Sequence, residues 1–456
     1  MYKLQAPHTG CSTVSMHATR LPNSGIPLNV SGDAVTVSPP DYHCMVYGVS
    51  GKGKSRRVIY PSVVMSARAG HSMIVCDPKG AVYRNTAAEV RKCGHDVKVI
   101  NLRNPELGSR WSPFAVVKAA WDTGDRSRAT VMLRDIANVL IGAVRSTRDA
   151  YWHMSAADTF VGTGLLLLEQ GFMPSIAAIH ALCNEYAQND HRQLYRPIIA
   201  SQSPVATPAL STLLSLEAEQ TLGCVISTFN STITPLCDQE DLREMTDASD
   251  ISFCDIITRP TAVYLIVPDE STALYGLASL FVEQSYAEMV RFADEREDNR
   301  LPRPVDFIID EFASFPGTDW PAKLTAARSR RIRFILALQS LSQLYDRYGR
   351  EAGNTIISNC RCLLLMGGRD LTFEREIGRL HALYDGRVVA MCDDTLVAPG
   401  HLPDWTAWGI TAKADLSATA RERISPRIPT LDQVLNIVPM DCDNPLPALP
   451  DEEVPF

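Results

Sequence analysis

The sequence predicts an α/β fold with a mainly parallel central sheet and an inserted all-helical domain. Three observations predict it. Short apolar runs alternate with helix-periodic segments in the first and last thirds of the chain, and the middle is almost wholly helix-periodic. A glycine-rich loop also stands between the first apolar run of the α/β part and the helix pattern after it.

Taken in order, residues 1–40 are rich in Ser, Thr, Pro and Gly and read as an irregular lead-in. "YHCMVY" (Tyr42–Tyr47) reads as a short buried strand. Gly48-Val49-Ser50-Gly51-Lys52-Gly53-Lys54-Ser55 then meets the pattern G-x-x-x-x-G-K-[ST]. Such a loop turns its N–H groups inward around a phosphate, which requires glycine where a side chain would collide. Gly48, Ser50, Gly51 and Gly53 are the cradle residues, Lys54 is placed to reach the β- and γ-phosphates, and Ser55 to hold Mg²⁺. "RRVIYPSVVMSARAG" continues as a helix up to Gly70, with Pro61 in the early turns where a missing donor costs least. A surface glycine turn is the plainer reading of the loop; the order strand, loop, helix favours the phosphate cradle.

"SMIVCDP" (Ser72–Pro78) and "DVKVINL" (Asp96–Leu102) read as further strands around the helix "AAEVRKCG". Residues 41–114 are thus the first part of a nucleotide-binding domain. Residues 115–250 are the helical insert, punctuated by proline and glycine. Strand-like runs resume in 251–437 with "TAVYLIVP", "PVDFIID", "IRFILALQ" and "RCLLLMG", and the final segment, 438–456, is an acidic, proline-rich tail.

Composition narrows the function classes. The 456 residues are 45% hydrophobic and 21% charged, ordinary globular material. No apolar run approaches the roughly 18 residues of a membrane span, and the N-terminus has no apolar signal core. The expectation is a cytoplasmic chain without a transmembrane segment. Twelve cysteines without a C-x-x-C pair read as reduced core thiols. A net charge of −8 argues against a uniformly basic nucleic-acid binder but leaves room for DNA held by local loops. One basic stretch stands out: Lys323, Arg328, Arg330, Arg331, Arg333, Arg347 and Arg350 face a single acid, Asp346. It is either a solvated helix face or, in part, a phosphate-facing surface.

A second motif completes a hydrolytic site. "VDFIIDEFA" is an apolar strand ending in Asp310-Glu311, with Asp310 placed to hold the Mg²⁺ shell and Glu311 to polarise a water for in-line attack. The strand "IRFILALQ" ends in Gln339, which either senses a γ-phosphate or caps the following turn. Arg328, Arg330 and Arg331 precede that strand, and an arginine there is positioned to complete a neighbouring subunit's site.

With these residues in view, most of residues 42–390 resembles the TraG/TraD-like coupling ATPases of type IV secretion. The blocks are "GVSGKGKS", "MIVCDPKG", "SRWSPF", "VDFIIDEFASFP", "LQSLSQLYDRYG" and "TIISNCRCLLLMGGRD". The resemblance implies a RecA-like P-loop NTPase that uses ATP and Mg²⁺, assembles as a homo-hexamer and threads single-stranded DNA. It implies relaxosome or relaxase and secretion-channel components as partners. Lys54 and Ser55 match the phosphate-loop pair, Asp310 and Glu311 the acidic pair, Gln339 the motif glutamine, and Arg328 the trans-acting arginine. Asp77 and Lys79 match a block to which no role is attached. Three departures stand out: Ala81 replaces the acid of a D-x-K-G-E block, Lys52 takes a loop position where a small residue is usual, and no membrane-spanning helices are present. The chain is then a soluble branch, a truncated product, or one that docks at the inner face of the membrane through a partner.

Two functions from different classes follow: a DNA translocase that couples relaxosome DNA to a secretion channel, and a nucleotide-switched adaptor whose helical insert recruits protein cargo. A small-molecule kinase or GTPase is a poorer match, since there is no [NT]-K-x-D guanine-reading motif and no C-S-G-G-Q-like signature.

Overall fold

The computed structural model describes residues 10–141, 150–189, 192–215, 219–268, 272–315, 319–367, 386–393, 395–424 and 428–436. The acidic tail expected at 438–456 lies outside the described residues. The chain divides into two compact units, the first made of Met1–Ala115, Asn138–Ala143 and Pro235–Ser425, the second of Val116–Ala137, Val144–Thr234 and Pro426–Phe456.

The strands of the first unit are β1 (Ser12–Ser15), β2 (Pro27–Ser31), β3 (Ala34–Val37), β4 (Cys44–Tyr47), β5 (Ser72–Asp77), β6 (Asp96–Asn101), β7 (Thr261–Ile266), β8 (Val305–Ile309), β9 (Ile332–Leu338), β10 (Cys362–Leu365), β11 (Arg387–Cys392) and β12 (Thr395–His401). Nine of them form one sheet in the order β12-β11-β10-β4-β9-β8-β5-β7-β6. Every pairing from β10 to β6 is parallel, while β11 and β12 add an antiparallel edge. Strands β4, β5, β7, β8 and β9 are buried at every position. This explains why they read as unbroken apolar runs rather than alternating ones: a parallel sheet is covered on both faces. Each such Val, Leu or Ile contributes roughly 1.5–3 kcal/mol by leaving water.

Helices α1 (Tyr60–Arg68) and α2 (Ala81–Lys92) follow β4 and β5. The first is entered through a π-helical turn, Ser55–Ile59, and ends at Gly70, whose φ of 73° suits a left-handed helix stop. Both match the helices expected there.

The lead-in is not irregular. Residues 12–37 form a three-stranded antiparallel sheet in the order β1-β3-β2. A two-residue loop, Gly32-Asp33, joins β2 and β3, with Ser31 opposite Ala34 and Gly32 at φ 58°. The Ser/Thr/Pro-rich composition hid a legible hairpin signal, Gly-Asp between alternating apolar residues, and Leu28, Val35 and Val37 are fully buried. Gly400 is forced by the packing of β12 on β2, since a Cβ there would lie 2.4 Å from the Leu28 carbonyl oxygen.

The second unit contains α3 (Ala115–Asp122) and most of α4 (Arg126–Ile141), α5 (Ala150–Glu169), α6 (Ile176–Gln188), α7 (Arg192–Gln202), α8 (Ala206–Ser215) and α9 (Glu219–Cys237). Its close packing depends on small residues: a Cβ at Gly162 would meet Leu210 Cγ at 2.5 Å. Ser175 caps α6 by accepting from the Ala178 N–H. Asn184 and Asn230 exchange amide hydrogen bonds of 3.1 and 2.7 Å between α6 and α9. The compact helical unit is narrower than the 115–250 expected. Helices α10 (Glu240–Asp247) and α11 (Phe253–Thr258) belong with the sheet. Glu244 pairs with Arg110 at 3.0 Å, Trp111 N–H donates to the Met245 carbonyl at 2.8 Å, and Ile256 and Ile257 are buried. Among the described residues, no helix is long and apolar enough to cross a membrane.

Candidate functional site

The glycine loop leaves the C-terminal end of β4 and is pinned at both neighbours. Gly48 N–H donates to the Leu338 carbonyl of β9 at 3.1 Å, and Val49 N–H to Gly367 beyond β10 at 3.3 Å. Gly51 and Gly53 have φ of 82° and 81°, a region closed to most side chains, and Ser50 is exposed at the tip. The helix that follows has neither a side-chain cap nor an acidic residue in its first turn. Arg57 N–H returns to the Gly53 carbonyl at 2.8 Å, and the start of the helix faces the loop with no acid to compete, the arrangement that accepts an anion.

Lys54 and Ser55 turn inward from this loop. Lys54 is only 7% exposed, and its ammonium donates to the Gly48 carbonyl at 2.6 Å. Burial lowers its pKa, while Asp310 and Glu311 act to keep the charge. Ser55 Oγ donates to Asp310 Oδ2 at 2.6 Å, joining the two motifs across 255 residues of sequence. Burial pushes the Asp310 carboxyl up, with the Ser55 hydrogen bond opposing and the Glu311 charge adding to the push.

Glu311 sits in the left-handed region at φ 67°, ψ 47°. A non-glycine residue held there costs on the order of 1–3 kcal/mol and recurs where geometry serves chemistry. Its two carboxylate oxygens both accept from Gln339 Nε2. The alternative in which Gln339 caps the next helix does not hold: that helix, α14 (Leu341–Tyr348, with α12 Thr272–Asp294 and α13 Trp320–Ala327 before it), is capped by Ser340, which accepts from Ser342 N–H.

The structure gives Asp77 a place. In the β5–β8 register Cys76 lies opposite Ile309, so the next residues along, Asp77 and Asp310, flank the same edge. Asp77 is 2% exposed and accepts from the amides of Ala81 and Tyr83 at 3.0 and 2.9 Å, capping α2. Burial pushes its carboxyl up to about 6, against those amide bonds and with the Asp310 charge adding. A tether to the segment after β12 escaped the sequence reading. Arg56 makes a two-pronged pair with Asp404, and Arg57 donates to the Leu402 carbonyl at 2.6 Å. The partners lie 348 and 345 residues apart, with no local pattern to announce them.

Arg328 is not brought to this edge. It lies in a short 3₁₀ turn before β9, and the phosphate loop follows the opposite end of the sheet. The seven residues of β9 separate the two ends by about 20 Å, beyond an arginine's reach. Most of the basic stretch is committed elsewhere. Lys323 pairs with Glu283 at 2.8 Å, Arg330 with Asp294 at 2.8 Å, and Arg333 with buried Asp306 at 2.6 Å. Arg331 donates to the Leu301 carbonyl at 3.2 Å. Arg328 is exposed; its carbonyl accepts from Arg331 N–H at 3.2 Å, and its guanidinium has no ion-pair partner among the described residues.

The donor set fits a polyphosphate carried with a hard divalent cation: amides at the glycine turn and an ammonium for phosphate oxygens, and a hydroxyl and a carboxylate oxygen for the cation. The family model described as "Type IV secretory system Conjugative DNA transfer" matches residues 15–372. No curated protein matches the chain. Solved structures that resemble it include the bacterial conjugative coupling protein TrwBΔN70 in complex with sulphate, at 17% identity and a TM-score of 0.61, covering 88% of this chain and 95% of that one. TrwB with the non-hydrolysable ATP analogue ADPNP is 18% identical, with a TM-score of 0.63 and coverage of 89% and 96%. TrwB with ADP and Mg²⁺ is 17% identical, with a TM-score of 0.61 and coverage of 90% and 92%. These likenesses show a shared RecA-like α/β fold.

Proposed function

The chain belongs to the type IV secretory system conjugative DNA transfer family, and on that premise we propose that it is a Mg²⁺-dependent ATPase that drives DNA toward a secretion channel. The observation that carries this reading is the convergence of Lys54, Ser55, Asp310, Glu311 and Gln339 at one edge of the sheet. Structures of TrwB carry ADPNP, or ADP with Mg²⁺, on the same fold, which supports ATP and Mg²⁺ as this chain's cofactors.

Bound ATP with Mg²⁺ supplies the transferable phosphoryl group and part of its charge neutralisation. Ser50, Gly51 and Gly53 present amides to the phosphates, while Gly48, whose N–H is held by the Leu338 carbonyl, supplies the carbonyl on which Lys54 rests. Lys54 exchanges the Gly48 carbonyl for phosphate oxygen, and Ser55 and Asp310 are the residues that would hold the cation. Glu311 takes the proton from the attacking water, with Gln339 fixing the carboxylate and releasing it when the phosphate end is occupied. Arg328, exposed at the far edge, reaches a neighbouring subunit's site in a homo-hexamer. Single-stranded DNA, relaxosome or relaxase and channel components are the partners of this cycle, which runs at the cytoplasmic face of the membrane.

The test is ATP turnover by the purified chain with and without single-stranded DNA. DNA-stimulated turnover that disappears in Lys54→Ala is expected. Glu311→Gln is expected to keep ATP binding while turnover falls by roughly 10²–10⁴, the usual contribution of a positioned base. Turnover that survives Lys54→Ala would sink the assignment, and ATP binding with no response to DNA would move the chain to the cargo-recruiting adaptor.

A further inference from the structure

We propose that Lys79 is a second phosphate-binding cation of this site, aimed at the terminal phosphate of a nucleoside triphosphate by the turn that Asp77 closes. The proposal rests on the nucleotide site described above and assigns it a residue and a selectivity.

The placement comes from strand register. Asp310 N–H donates to the Cys76 carbonyl at 3.3 Å, so the chain leaving β5 emerges directly beside the Asp310–Glu311 pair. The turn that follows is fixed on every side. The Asp77 carboxylate accepts the amides of Lys79, Ala81 and Tyr83, and Gly80 N–H returns to the Asp77 carbonyl at 3.3 Å. Gly80 has φ 65°, and the Lys79 carbonyl accepts from Arg84 Nη2 at 3.1 Å. The backbone of Lys79 is thereby immobilised while its side chain is exposed.

Charge supplies the ligand. The Lys79 ammonium is close enough to act on both Asp310 and Lys54. Two ammonium groups acting on the one Asp310 carboxylate repel each other until an anion lies between them. Lys79 has no ion-pair partner among the described residues, and α2 has no acid in its first turn because Ala81 stands at its start. A cation carried on a fixed backbone, on the far side of Asp310 from the phosphate loop, suits the end of the polyphosphate rather than its nucleoside. Lys54 spans the β- and γ-phosphates and Lys79 meets the outermost alone, so the diphosphate product keeps a Lys54 contact and loses the Lys79 contact.

The experiment measures binding of ADPNP and of ADP, each with Mg²⁺, to the purified full chain by titration calorimetry. Lys79→Met is expected to weaken ADPNP roughly tenfold or more, the scale of one charge-assisted contact, and to change ADP by less than about threefold. Lys79→Arg is expected to retain the preference. Asp77→Asn, which loosens the turn and also removes a carboxyl beside Asp310, is expected to lose ADPNP affinity in the same selective sense but by less. Equal affinities in Lys79→Met and wild type, or equal losses for both nucleotides, would overturn the role of Lys79 alone. A folded wild-type chain that binds neither nucleotide would overturn the underlying site.

Discussion

Strand β8 carries Asp306 near its start and runs into Asp310 just past its end, and the two ends of the sheet treat these buried carboxylates in opposite ways. Burial alone would raise both. At Asp306, the Arg333 guanidinium and His71 override burial and hold the carboxyl well below the usual range; Arg333 Nη2 lies 2.6 Å away, Ser66 Oγ 2.6 Å and His71 Nδ1 3.1 Å. Ser24 closes the group by accepting from Arg333 at 2.9 Å. At Asp310, among the described residues, a serine hydroxyl is the hydrogen-bond partner of the carboxylate; burial and the Glu311 charge outweigh it and the Lys54 and Lys79 ammoniums, and the carboxyl is raised. An acid held ionised by a contacting guanidinium is structural; one whose carboxyl burial raises, with no cation in contact, is waiting for one. The contrast separates scaffold from machinery without reference to sequence motifs.

The largest effect that tests this division concerns Arg328, which belongs by position to the structural end and by its unpaired guanidinium to the other. Arg328→Ala is expected to lower turnover by about 10³–10⁵, the scale of a trans-acting arginine. Mixing Arg328→Ala with Lys54→Ala chains is then expected to restore part of the activity, because some interfaces join an intact Lys54 to an intact Arg328. No recovery on mixing, with oligomers confirmed by mass, would return Arg328 to the scaffold.

Much of this was legible in the sequence because local chemistry dictates it. Gly51 and Gly53 adopt the positive φ their motif requires, and the apolar runs before Gly48 and Asp310 are strands because a doubly covered sheet needs unbroken burial. What stayed hidden depends on contacts distant in sequence. The Arg56–Asp404 pair, the joining of Gln339 to Glu311 and the answer of Arg333 to Asp306 leave no spacing to read. Arg333 shows the cost: within a basic run it passed for a phosphate-facing candidate, yet it is 3% exposed and already paired. The β1–β3 sheet was missed for another reason, since composition outweighed a hairpin turn of only two residues.

The next test compares the ends through stability. Arg333→Met strands the Asp306 charge in the interior and is expected to cost about 3–5 kcal/mol, read as a lowered midpoint in chemical denaturation. Asp310→Asn removes a buried charge with no cation in contact, and is expected to leave that midpoint unchanged or raise it while Mg²⁺-dependent nucleotide binding is lost. Similar destabilisation by both substitutions would erase the distinction between the two carboxylates.

The smallest effect is a difference of slope with pH. Asp306 has a folded-state pKa below its unfolded value of about 4, so its stabilisation is complete above that value and drains away as pH falls. Asp77 is the reverse: with a folded-state value near 6, the native chain binds more protons than the unfolded chain between roughly pH 4 and 6. Its contribution to stability therefore shrinks as pH rises through that window, by something on the order of 1 kcal/mol per pH unit. Denaturation midpoints of Asp77→Asn are expected to show a flatter dependence from pH 4 to 6 than wild type, and Asp306→Asn a flatter one below pH 4. An Asp77→Asn chain that keeps the wild-type slope would mean that the carboxyl beside Asp310 ionises as freely as one in water, and that this end of the sheet does not hold Asp77 protonated.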